Sequence, residues 1–170
     1  ETELAVLSGF TIINGDAGTS KGGGILISNN SNPRIINNII SNNVAQYGGG
    51  ICVSGQSQAN IENNIFNGNV SNGSRGAGIY VIDKSSVIIH NNIFKDHENV
   101  DGTIHIGSTY TDESYAVISN NTINNNTTGS GTGGIKVTAV SRADISNNII
   151  SDNTGDGDYS AAGITISKNS

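Results

Sequence analysis

The sequence lacks most of what builds an ordinary helical or mixed core. It has no Met, no Trp and one Pro among 170 residues, and Leu and Lys are scarce. With so few strong helix formers, a helical bundle is excluded. No apolar run approaches the length needed to cross a bilayer as a helix. The single cysteine, Cys52, excludes an internal disulfide and leaves the redox compartment unreadable. Basic residues are also few: 8 Lys and Arg face 14 Asp and Glu, for a net charge of -6. That balance argues against nucleic acid and anionic membrane surfaces as partners, because both select basic patches. No signal peptide is recognisable at Glu1.

What is present points to strands and tight turns. The apolar residues are mainly Ile and Val, which suit strands. The 23 Gly and the many Asn and Ser suit turns and positive φ. A mean hydropathy of -0.22 with frequent Ile does not fit a disordered chain.

Two blocks recur from end to end. The first is a glycine-led alternation: Gly22-Gly23-Gly24-Ile25-Leu26-Ile27, Gly48-Gly49-Gly50-Ile51-Cys52-Val53 and Gly76-Ala77-Gly78-Ile79-Tyr80-Val81. It continues as Gly102-Thr103-Ile104-His105-Ile106, Gly133-Gly134-Ile135-Lys136-Val137 and Ala162-Gly163-Ile164-Thr165-Ile166. From Gly24 to Gly163 the period is about 28 residues. The second block runs an apolar alternation into asparagines, as in Ile35-Ile36-Asn37-Asn38-Ile39-Ile40, Ile61-Glu62-Asn63-Asn64-Ile65-Phe66 and Ile89-His90-Asn91-Asn92-Ile93-Phe94. Ile118 to Ile123 and Ile145 to Ile150 repeat it, and Leu7-Ser8-Gly9-Phe10-Thr11-Ile12 is a version without asparagines.

Side chains two apart on a strand share a face. Each period therefore offers three short apolar edges separated by turns. One coil cannot bury them, but coils stacked about 4.8 Å apart bury them as continuous ladders. The expectation is an all-β, right-handed parallel β-helix of about six coils, three short strands per coil, forming one domain over residues 1–170. Parallel crossovers favour the right hand. The asparagine pairs fall at the corner between the second and third strands, where Asn tolerates the left-handed conformation and can bond to its counterpart one coil away. The outward positions of the first strand, Leu26, Cys52, Tyr80, His105, Lys136 and Thr165, read as a solvent face. His90 also points outward by strand parity. Both chain ends fall within a coil and neither shows an amphipathic cap, so the chain reads as a fragment of a longer solenoid or as a subunit whose coil ends stack on neighbours.

In these residues the chain resembles the pectate-lyase-like right-handed β-helix superfamily. Its repeats are similar to those of polymorphic outer-membrane adhesins, which alternate a GGA[ILV] motif with FxxN. Phe66-Asn67-Gly68-Asn69 matches the second motif, Ile40 to Asn43, Ile123 to Asn126 and Ile150 to Asn153 are variants, and Phe94 ends instead on His97. The resemblance implies that ligands sit on the outer face of the first strand. It directs attention to Tyr80, His105 and Lys136, which an acidic sugar would suit.

The densest ionisable run, Lys95-Asp96-His97-Glu98 with Asp101 and His105 beyond, adds Asp96, His97 and Asp101 as candidate ligand-binding residues. Asp152, Asp156 and Asp158 lie on a glycine-containing run whose hard oxygens suit Ca²⁺; no other cofactor is expected. The first-strand column offers no Asp or Glu, which weighs against the carboxylate clusters of the superfamily's lyases and hydrolases. The functional expectation is therefore a secreted or cell-surface binding or structural module for a polysaccharide or surface glycan. A lyase or hydrolase fragment and a head-to-tail stacking subunit are the alternatives.

Overall fold

A computed structural model describes residues 5–73, 75–98, 101–107, 112–128, 131–155 and 161–167. Among them three parallel sheets wind around one core, each of six strands. The first sheet stacks Ile25–Ile27, Ile51–Val53, Ile79–Val81, Ile104–Ile106, Ile135–Thr138 and Ile164–Ser167. The second stacks Val6–Ser8, Arg34–Ile36, Gln58–Glu62, Ser86–His90, Tyr115–Ser119 and Arg142–Ser146. The third stacks Thr11–Ile13, Ile39–Ser41, Ile65–Asn67, Ile93–Lys95, Thr122–Asn124 and Ile149–Ser151. The pairing is in register throughout, so that Ile51, Ile79, Ile104 and Ile135 lie one above another. The sequence pattern did not call for the two-stranded ribbon of Val44–Ala45 and Val70–Ser71, which lengthens the turn after the third sheet.

The core is made of the inward ladders expected from the alternation. Ile51, Ile61, Ile79, Ile89, Ile104 and Ile118 are among its fully buried side chains. Phe66 and Phe94 stack in the third sheet, with ring centroids 4.5 Å apart and planes 13° from parallel. The glycine block has a steric cause. A Cβ on Gly49 would lie 2.3 Å from the Val70 carbonyl oxygen, and Gly48 has φ 66°. The coils approach too closely here for a side chain, and the backbone turns through a region that glycine enters at little cost.

Two corners repeat in every coil. Between the second and third sheets, Asn37, Asn63, Asn91, Asn120 and Asn147 take φ of 55–57°. The next residue points inward: Asn38, Asn64, Asn92, Asn121 and Asn148 form one hydrogen-bonded column. Asn64 N–H and its Nδ2 both donate to Asn92 Oδ1, at 2.8 and 3.0 Å, and Asn92 Nδ2 donates to the Ile61 carbonyl at 2.8 Å. These bonds satisfy backbone groups that strand pairing leaves open at the bend.

The corner after the third sheet is built the same way. Asn42, Gly68, Asp96, Asn125 and Asp152 are left-handed, with φ from 53° to 61°. Asn43, Asn69, His97, Asn126 and Asn153 follow as a second inward column. The FxxN pattern is thus a ladder position, and one of its five rungs is a histidine.

Candidate functional site

Leu26 is exposed on the outer face of the first sheet, but at Cys52, Tyr80 and His105 that face is not the open solvent face that strand parity suggested. Cys52 and Tyr80 are buried there together with Ile82, against partly buried Tyr47. His105 is only 4 % exposed. The reason lies in the loops: Tyr47 and Arg75 come in before the first-sheet strands, and Ile82, Asp83 and Gly107 follow them. A trough results. Lys21 Nζ bonds Asp83 Oδ2 at 3.1 Å, and both charges act on Cys52. Burial pushes the Cys52 thiol up to about 12, so it is inert as a nucleophile near neutral pH.

Farther along the stack the trough opens into a cleft of about 210 Å³ lined by Arg75, Tyr80, Asp101, His105, Lys136 and Thr138. Strand pairing sets its floor, because Tyr80, His105 and Lys136 are register partners on successive coils. Tyr80 and His105 meet edge-to-face at 5.3 Å. Lys136 Nζ reaches both Asp101 oxygens, at 2.6 and 2.7 Å. His105 Nε2 lies 3.0 Å from Thr138 Oγ1. Arg75 Nη1 donates to the Tyr80 hydroxyl at 3.5 Å, and its guanidinium lies 5.6 Å from the centre of the Tyr47 ring.

The electrostatics follow from burial. It pushes His105 down to about 4, against the pull of Asp101, so this imidazole is neutral near pH 7. The Tyr80 hydroxyl is shifted upward, first by burial, and stays protonated. Lys136 and Asp101 cancel. Among the described residues the exposed Arg75 has no ion-pair partner, so it adds a positive charge to the cleft beside a hydroxyl donor and a neutral imidazole. Such a site can hold a carboxylate or sulfate while offering hydrogen bonds to hydroxyls.

The structure divides the ionisable run from Lys95 to His105. Asp101 and His105 enter the cleft, but Asp96 sits at the outer corner after the third sheet, bonded to Asn125 and 3.5 Å from Lys95. His97 is turned inward and fully buried, with no access to any ligand. Its Nδ1 accepts from Asn69 N–H at 2.9 Å, and its own N–H donates to Asn126 Oδ1 at 3.1 Å. Burial holds it at about 3, hence neutral. The expectation that His97 binds ligand is corrected: it replaces a ladder asparagine. His90 does face outward, half-buried, with Nδ1 2.9 Å from Ser119 Oγ.

Of the proposed calcium ligands, Asp152 occupies a left-handed corner, while Asp156 and Asp158 lie outside the described residues. Among the described residues no three His, Cys, Asp or Glu side chains gather as a metal site, and no helix is long and apolar enough to cross a membrane. Arg75 is the cleft-lining side chain that the repeat did not reveal. The only signal in the sequence is that it is one of few cations and directly precedes the glycine block.

The family model for the right-handed β-helix region matches residues 23–170. The chain belongs to this family. Its right-handed winding and three strands per coil are those expected from the repeat. No curated protein and no solved structure matches the chain.

Proposed function

We propose that this chain is a binding module of a secreted or cell-surface β-helix, and that the first-sheet cleft takes the acidic group of a polysaccharide. One observation carries the reading. Arg75, Tyr80, Asp101, His105 and Lys136 come from three coils and two loops, yet they line one cleft. A uronate carboxylate would pair with the Arg75 guanidinium, whose planar fork matches it. The Tyr80 and Thr138 hydroxyls and the neutral His105 would meet sugar hydroxyls. The rigid stack supplies preorganisation, because three of these side chains are fixed by strand register. The Asn- and Ser-rich, Lys-poor surface accords with an extracellular setting.

Titration calorimetry with polygalacturonate and alginate tests this. Binding should weaken on adding salt and fall by about tenfold or more in Arg75→Ala. Absence of binding to both polymers would remove the reading. Slow release of unsaturated uronides, followed by ultraviolet absorbance, would turn it towards the lyase alternative.

The stacking-subunit reading is the alternative. Sedimentation at rising concentration tests it, and a species that stays monomeric removes it.

A further inference from the structure

The second sheet carries a groove on its outer face, away from the first-sheet cleft. It runs along the stack across four coils, starting at Asn32 and continuing over Gln58, Asn60, Ser86, Ile88, Tyr115 and Val117, with a volume of about 390 Å³. The strands beneath it are five residues long, against three for their neighbours in the third sheet. The extra length gives each coil a third outward position, and the first two of the three line the groove. Register aligns them into two parallel rows, Gln58–Ser86–Tyr115 and Asn60–Ile88–Val117. Adjacent residues in a row stand about 4.8 Å apart, so the rows extend over the length of a few linked sugar rings.

We infer that this groove is a second glycan-binding site, and that it takes an uncharged oligosaccharide lying along the coil axis. The chemistry of the rows matches the two sides of a sugar ring. Ile88, 47 % exposed, and Val117 offer an apolar floor for ring C–H groups. The Gln58 amide and the Ser86 hydroxyl offer donors and acceptors beside that floor, while the Asn60 amide nitrogen is already held by Glu62. Tyr115 stands at one end with its hydroxyl donating to Asp144 Oδ2 on the next coil, so its ring is already held in place.

Charge decides which glycan. Around the groove the cations are paired: Arg34 with Glu62 at 3.8 Å, Lys84 with Asp112 at 3.0 Å, and Arg142 with Glu113. Among the described residues the groove therefore has no counterpart to the Arg75 of the first-sheet cleft. A peptide added as a strand is not accommodated, because the backbone groups of the strands beneath are paired on both sides. The net charge of -6 disfavours nucleic acid.

Cellohexaose and mannohexaose are the probes, titrated against the intact chain and three variants: Ile88→Asp, Gln58→Ala and Arg75→Ala. Ile88 and Gln58 are exposed, so both substitutions should leave the circular dichroism spectrum unchanged. At least one hexasaccharide should bind with little dependence on salt. Ile88→Asp should weaken it by about tenfold or more, Gln58→Ala by less, and Arg75→Ala not at all. Failure of both sugars to bind the intact chain would overturn the inference, as would equal binding by Ile88→Asp. Loss of binding in Arg75→Ala alone would place the sugar in the first-sheet cleft and also overturn it. Polygalacturonate binding reports separately on that cleft, so the two sites fail independently.

Discussion

The two inner corners of the coil are built alike, yet one is uniform and the other is broken. Between the second and third sheets every rung described from Asn38 to Asn148 is an asparagine that accepts from the coil before it. After the third sheet the column runs Asn43, Asn69, His97, Asn126 and Asn153. The imidazole reproduces the acceptor role, through Nδ1. It does not reproduce the role of the amide nitrogen: among the described residues His97 Nε2 is buried without a partner. Accepting from the preceding coil is thus the requirement that both columns keep; at His97 the backbone N–H still donates to Asn126, and only side-chain donation lapses.

Three experiments would break or sharpen that comparison. Asn92→Ala should have the largest effect, because it strips a buried N–H of Asn64 and the Ile61 carbonyl of their partners; a loss of about 3 kcal/mol or more is expected in denaturant unfolding. Acid should act next, per pH unit, and through the broken column. His97 sits at about 3 when folded against an ordinary value near 6.5. Below pH 6.5 the unfolded chain takes up a proton that the folded one refuses, so stability present at neutral pH falls as pH drops towards 3. The slope per histidine approaches about 1.4 kcal/mol per pH unit. His105, at about 4, adds a parallel loss. His97→Asn should remove only its own share; an unchanged acid slope in that variant would show that His97 is not the group responsible. The smallest effect is that of His97→Asn at neutral pH: a gain of about 1 kcal/mol, as an orphaned donor is replaced by an amide that fits the column. A loss of stability instead would mean that the imidazole's packing outweighs its unmatched nitrogen.

Much of this could be read in advance where residues repeat. The inward Ile and Val ladders, the asparagine corner and the parallel stack all follow from periodicities that only a coil satisfies. The second column was visible as FxxN but not as a ladder, since one period with histidine and corner residues as different as Gly68 and Asp96 hide the shared backbone conformation. The first-sheet face shows the limit most clearly. Strand parity correctly turns Cys52, Tyr80 and His105 outward, but it is silent on Tyr47, Arg75 and Ile82, which reach over them from loops of unequal length. Tyr80, His105, Lys136 and Asp101 were picked out by residue type and do meet in one cleft. Asp96 and His97, from the same run, do not, because both sit at the corner after the third sheet, Asp96 facing out and His97 facing in.

The asparagine columns also give the molecule a sense of direction. Each amide oxygen accepts from the coil before it, and no rung of the uniform column is reversed. Rungs lie 26 to 29 residues apart along the chain, so the column tolerates loops of different length as long as each coil presents one amide at the bend. A coil is therefore a self-contained unit of inheritance: a duplicated segment of one period would slot in with its donors and acceptors already aligned. Lengthening such a protein needs no redesign of its interior, and selection is left free to work on the loops.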